Sequence, residues 1–228
     1  SGNFETRIAP LGPAETIAFS YGALYHPWPV VRDERGPQQL RALPPDGMMC
    51  GLYARQALER GAWIAPANQP LPGVAALTPA VPDDRRGNLL EAQINQIRQE
   101  PRGFLNLSAD TLSQDALLRS VNVRRLLMLL RRLAIRQGAS YVFEANSDSF
   151  RRLVKREFES TLGYLFTRGA FVGGTPATSF RVDVSSASGD LDAGRLIVEL
   201  RVAPVQPLSF LTVRLVQIGD RARVLEVR

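Results

Sequence analysis

Nucleophilic, acid–base and metal chemistry draw on a short list of residue types, and this sequence supplies few of them. It holds one histidine, His26, and one cysteine, Cys50, among 228 residues. A Ser/His/Asp or Cys/His site has to use His26, which stands between Tyr25 and Pro27 with no nucleophile-elbow pattern beside it. The plainer reading is a loop histidine with a satisfied hydrogen bond. One histidine and one cysteine are too few for a protein-built zinc site. Asp183, Asp190 and Asp192 come nearest to paired carboxylates, but they are spread over a Ser/Gly-rich stretch that reads as a solvated loop. The glycines of 169–174 lack both the dinucleotide fingerprint and the phosphate-loop Lys-Ser/Thr pair, and read as a helix C-cap and a turn. The expectation is a protein with no catalytic residue, no metal, no cofactor and no small-molecule substrate.

Charge is the other reactive feature. The net charge is +6, and the stretch Arg119 to Arg136 holds six arginines and no acidic residue, so the remainder is formally neutral. Clustered arginines neutralise phosphates, which makes a nucleic-acid-binding module built on this basic helix the alternative function. Against it stand the helix's broad apolar stripe and its lack of stacking aromatics. A second basic group, Arg151, Arg152, Lys155 and Arg156, falls on the outer face of the next predicted helix, where it suits an acidic partner or a solvated face.

These residues need elements to hold them. Residues 1–45 read as strand and loop, with extended runs at Glu15 to Phe19 and Ala23 to Tyr25. Pro44-Pro45-Asp46 offers a turn and an N-cap for a helix over Met48 to Arg60 that stops at Gly61. Trp63 to Thr78 is proline-rich and should be ordered by what it packs against. Leu89 to Arg98 reads as a short amphipathic helix, and Phe104 to Leu107 as a strand. Ser120 to Gln137 is the strongest helix, with Val123, Leu126, Leu127, Leu130 and Ala134 on one stripe and Met128 and Ile135 on a second apolar side. Tyr141 to Phe143 reads as a buried strand. A helix over Ser149 to Arg168 turns Phe150, Leu153, Val154, Phe158, Leu162 and Leu165 inward. Phe180 to Val184, Arg195 to Ala203, Phe210 to Gln217 and Arg223 to Val227 read as strands, the last two joined at Gly219-Asp220 by a two-residue hairpin turn. The fold class is α/β (α+β): a layered domain of mixed sheet and helices with a β-rich C-terminal part and extended termini.

Composition sets the wider bounds. With 45% hydrophobic residues the chain can bury a genuine core. A single cysteine excludes an intramolecular disulfide and fits a reducing compartment such as a bacterial cytoplasm. No run reaches the roughly 20 apolar residues of a spanning helix, so no membrane insertion is expected. The sequence opens at Ser1 without a signal-peptide pattern, and its opening Ser-Gly-Asn fits a cloning remnant or an arbitrary cut, either of which is compatible with a missing N-terminal portion.

Several separate blocks resemble the C-terminal half of contractile tail sheath proteins, the family of contractile phages, tailocins and extracellular injection systems. Ala23-Leu24-Tyr25-His26-Pro27-Trp28 is similar to the family's strand ending in Tyr-Pro-Trp. Pro44-Pro45-Asp46-Gly47 with Gly51-Leu52-Tyr53-Ala54-Arg55, and above all Gly61-Ala62-Trp63-Ile64-Ala65-Pro66-Ala67-Asn68, resemble its next blocks. Asn122-Val123-Arg124-Arg125-Leu126, Phe143-Glu144-Ala145-Asn146, Gly169 to Pro176 and Ala203-Pro204-Val205-Gln206-Pro207 continue the likeness in order over residues 20–217. Leu107 to Leu112 and Leu208-Ser209-Phe210 depart from it, and the family's N-terminal arm has no counterpart here.

The resemblance implies residues 1–45 as the end of the subtilisin-like domain, 46–207 as the sheath core and 208–228 as a C-terminal arm or hairpin. It implies a structural subunit, assembled in the bacterial cytoplasm into a helical homopolymer of hexameric rings, as part of a virion tail or extracellular contractile particle. Its expected partners are other sheath subunits, an inner tube, and baseplate and terminator proteins. Contraction would be a switch from a metastable long helix to a shorter, more stable one, without nucleotide. Trp63, Pro66, Asn68, Asn122, Arg124, Arg125 and Pro204 are then structural motif positions, and Arg151, Arg152, Lys155 and Arg156 candidates for the tube contact. Open strand edges are templates for strand addition. Phe210, Leu211, Thr212, Val213, Arg214, Leu215 and Val216 are the candidate intersubunit strand, because they alternate apolar and polar groups. The strand at Arg223 to Val227 extends past the family's usual end, and as a hairpin it would occupy one edge of its own sheet.

Overall fold

The structure, a computed structural model, describes residues 18–33, 39–185, 195–205, 211–218 and 221–227. It has the mixed α/β architecture expected from the sequence, divided into a unit up to Arg124 and a second unit from Arg125 onwards. Each is built around its own sheet system.

In the first unit β1 (Leu24–His26) pairs in parallel with β6 (Ile94–Glu100), which pairs antiparallel with β7 (Gly103–Asn106), and β4 (Gln69–Pro70) closes the order β1-β6-β7-β4. A three-stranded sheet is ordered β3-β2-β5, from β2 (Trp28–Arg32), β3 (Leu40–Ala42) and β5 (Val74–Thr78). Helix α1 (Asp46–Glu59) starts on Pro45, and Asp46 lies in its first turn, where a negative charge complements the macrodipole, instead of serving as N-cap. Met49 and Leu52 of α1 join Leu71 and Ile97 in the core, with Tyr25, Tyr53, Val74, Leu77 and Phe104 packed against it. Past the Arg60 C-cap, φ at Gly61 is +107° and a Cβ there would meet the Trp63 indole at 2.4 Å, so both conformation and space require glycine.

Two readings of this unit are corrected. Ala18 and Phe19 lie in a helical turn, not in an extended run; Glu15 to Ile17 fall outside the described residues. The predicted helix over Leu89 to Arg98 is instead a short α2 (Arg86–Glu91) followed by β6. Gln93 turns the chain at φ +57°, and its side chain donates to the carbonyls of Thr111 (3.0 Å) and Ser113 (2.7 Å). Asn95 donates to the carbonyls of Leu24 and Asp110 and accepts from the Asp110 amide. Gln96 donates to the Arg86 carbonyl. Polar residues of that expected helix are instead buried in a turn and a strand, each matched to backbone.

The second unit packs helices on an antiparallel sheet. Helix α3 (Val121–Ala139) begins in the first unit and continues here; α4 (Asp148–Thr167) packs against β8 (Phe180–Ser185). With β9 (Arg195–Val202), β10 (Leu211–Ile218) and β11 (Arg221–Val227) the sheet is ordered β11-β10-β9-β8. Leu196, Val198, Leu200 and Val202 alternate inward, as do Val154, Phe158, Leu162 and Leu165 of α4 at helical spacing. Ser147 caps α4 by accepting from the Phe150 amide. A single helical turn, α5 (Pro176–Ser179), precedes β8.

Here too the structure corrects details. Tyr141 to Phe143 form turns between α3 and α4, because the Tyr141 ring is captured edge-on by Phe150 and Phe158 and its hydroxyl donates to the Glu157 carboxylate. Burial first, then that hydrogen bond and charge, hold the phenol protonated far above its ordinary range. Phe143 is 99% exposed at φ +72°. Leu153 points outward at 42% exposure, and Met128 (45%) and Ile135 (41%) form no second buried side of α3. Asp183 lies on β8, ion-paired to Arg181 at 2.9 Å, not in a loop; Asp190 and Asp192 fall outside the described residues. Truncation of Leu162 to alanine is expected to lower unfolding free energy by about 2–5 kcal/mol, and Leu153→Ala by under about 0.5 kcal/mol, in denaturant titrations. Equal losses at the two positions would contradict this packing.

Candidate functional site

Several motif positions of the sequence make contacts between separate segments. The Asn122 amide donates to the Trp63 carbonyl at 3.2 Å, fastening the first turn of α3 to the segment after Gly61. Asn106 likewise donates to the Pro66 carbonyl, and the exposed Asn68, at φ +56°, accepts from Arg102 at 2.8 Å. Arg124 is buried: it donates to the Ser20 carbonyl (3.2 Å) and hydroxyl (2.8 Å) and stacks 4.3 Å over the Tyr21 ring. Arg125 is half-buried and also partnered. In the second unit Pro204 is buried and bridges to Phe171, tying the end of β9 to the turn after α4.

This use of Arg124 and Arg125 removes the densest pair from the basic stripe on which a nucleic-acid reading rested. Arg131, Arg132 and Arg136 remain exposed on α3, beside the exposed Met128 and Ile135. A stripe of three cations with apolar neighbours and no aromatic platform is a poor match to a phosphate backbone.

Helix α4 presents the other basic surface. Arg151 turns back to the helix start, donating to the Asn146 side chain at 3.0 Å and pairing with Asp148, so it serves α4 itself. Arg152, Lys155 and Arg156 are exposed and line a shallow depression with Ser149. Lys155 lies 3.8 Å from Glu159, an exposed i,i+4 pair worth little by itself.

For the candidate strand, Phe210 lies outside the described residues, and Leu211 to Val216 lie in β10. That strand is interior: Leu211 to Ile218 pair antiparallel with β9, and Thr212 to Ile218 with β11. Gly219 and Asp220, the expected hairpin turn, also lie outside the described residues.

The sequence reading missed one surface. On the three-stranded sheet Val30 lies opposite Ala42 and Ala76, and Trp28 opposite Thr78, with Trp28 46% exposed and Leu40 exposed beside them. The opposite face, through Val74 and Leu77, covers the core. The alternation Trp28-Pro29-Val30-Val31-Arg32 carries that signal only once the neighbouring strands are known. His26 closes β1, pairs in register with Gln96 and has its pKa lowered by burial. Among the described residues no cluster of three or more His, Cys, Asp or Glu is placed to hold a metal ion, and no helix is long and apolar enough to cross a membrane.

The described residues thus present buried amide joints, a cationic helix face and strand edges. Residues 113–218 match the phage tail sheath C-terminal domain, in line with the resemblance to contractile sheath proteins carried by the sequence motifs. Among solved structures, the sheath complex of the PVC extracellular contractile injection system in its contracted state is 28% identical, with a TM-score of 0.76 over 85% of this chain and 56% of that one. The helical sheath of the anti-feeding prophage in its contracted state is 27% identical, with a TM-score of 0.76 over 89% and 57%. The baseplate of the same prophage contains a chain 28% identical, with a TM-score of 0.74 over 82% and 51%. This chain thus spans little more than half of the chains it matches. No curated protein matches it.

Because His26 is the only histidine, its titration can be followed without ambiguity. Its midpoint is expected below the ordinary value of about 6.5. The unfolded chain then takes up the proton first, so the imidazole's contribution to stability is complete above about pH 6.5 and is lost as pH falls through the folded midpoint. Ring resonances titrating at or above 6.5 in a nuclear magnetic resonance experiment would contradict the burial described.

Proposed function

We propose that this chain is a structural subunit of a contractile sheath, which polymerises around an inner tube and shortens to drive that tube through a target envelope. The observation that carries this reading is the likeness to contracted sheaths over 85–89% of the chain. The subunit acts by packing and strand pairing, not by catalysis. It assembles in the bacterial cytoplasm with copies of itself, with the tube protein, and with baseplate and terminator proteins at the two ends.

Two surfaces serve that role in this proposal. The β10 segment carries the intersubunit strand pairing, since backbone hydrogen bonds between copies survive rigid-body movement of the bodies they link. Arg152, Lys155 and Arg156 meet an acidic tube surface, an electrostatic contact that salt weakens. Contraction draws on a difference in free energy between two packings of the same subunits, so no nucleotide is required.

Deletion of residues 208–228 is expected to abolish polymers seen by negative-stain microscopy; normal sheaths from the truncated chain would overturn the role given to β10. The charge reversals Arg152→Glu and Lys155→Glu together should suppress tube-dependent assembly, while leaving the unfolding midpoint close to that of the unaltered protein. Unchanged assembly on the tube at low and high salt would remove the α4 face from the tube contact.

A further inference from the structure

We propose that β11 is a stand-in for a strand of a second copy: within one chain it fills the backbone edge of β10 to which a neighbouring subunit adds. The inference rests on the sheath reading and goes beyond it, because it gives the free subunit a closed form distinct from the assembled one.

Three observations carry it. The match to the sheath C-terminal domain covers residues 113–218 and so ends with the last residue of β10, whereas β11 begins at Arg221, outside that domain. In a sheet ending at β10 that strand would be an edge, and an edge of unpaired N–H and C=O groups is a template for another chain. Here the edge is covered along nearly its whole length, in unbroken register from Ile218↔Arg221 to Thr212↔Val227. Finally, β11 has a single sheet neighbour, β10, while β10 is held on its other side by β9 from Leu211 to Ile218.

The consequences follow from backbone pairing. A neighbour's strand that replaces β11 exchanges one set of N–H to C=O bonds for an equivalent set, so the swap leaves few groups unpaired. Its net drive comes from whatever else the two copies bury. An outermost strand, paired on one side only, is also the part of a sheet that opens most readily. Occupied, the β10 edge does not recruit copies at random; vacated, it is the acceptor for one. The device therefore sets when and where polymerisation starts, and the partner it awaits is a strand of this same chain.

The test compares the intact chain with a variant lacking residues 219–228, adding a synthetic peptide of residues 219–228 to the variant. The variant should polymerise at a concentration lower than the intact chain, by roughly tenfold if vacating the edge favours association by about 1.4 kcal/mol. The peptide should bind the variant and return its threshold toward that of the intact chain, a reversal that a misfolded or aggregated variant would not show. An unchanged or raised threshold, or growth of polymers indifferent to the peptide, overturns the stand-in role while leaving the sheath reading intact. No polymer from either form at any concentration overturns the sheath reading and this inference with it.

Discussion

Every backbone N–H and C=O in a protein interior needs a partner, and much of this fold follows from how that requirement is met. In the first unit buried side-chain amides help to meet it: Gln93, Asn95, Gln96, Asn106 and Asn122 are all largely removed from water, and each donates to a main-chain carbonyl. At the edges of the sheet of the second unit the requirement passes outward. The order β11-β10-β9-β8 leaves β11 and β8 as its outermost strands. A buried amide that loses its partner costs more than the bond contributed, so these joints hold segments in one register.

The same division separates what is rigid from what can be exchanged. The apolar rows of β9 and α4, with Phe158 and Leu162 fully buried, fix the inner part of the second unit. Close-packed protein interiors respond to force as bodies and do not deform continuously. In the proposed sheath, such a subunit would let rigid pieces move against one another while strand connections persist. The exposed cations of α4 belong to the second unit and the exposed Trp28 to the first.

Much of this was legible from residue spacing. The helices at 46–59, 121–139 and 148–167 announce themselves through Pro-Pro-Asp, through the stripe from Val123 to Ala134, and through Val154, Phe158 and Leu162. The strands after Phe180 follow from alternation and turn residues. What failed was local pattern without tertiary context. Leu89 to Arg98 has helical spacing, yet Gln93, Asn95 and Gln96 find carbonyls far along the chain and make it turn and strand. Arg151 looked like part of an open basic face until Asn146 and Asp148 claimed it. Motif residues such as Trp63 and Asn122 were recognisable as a pair of blocks, but only the fold shows that one fastens the other.

The central claim is that cohesion arises between copies and not around a reactive pocket. Electron cryomicroscopy of the purified chain across a concentration series tests it most directly. The account predicts hollow helical tubes of repeating subunits, with continuous sheet density crossing from one copy to the next. A chain that stays monomeric throughout the series, or one whose tubes have sheets confined to single copies, would contradict it.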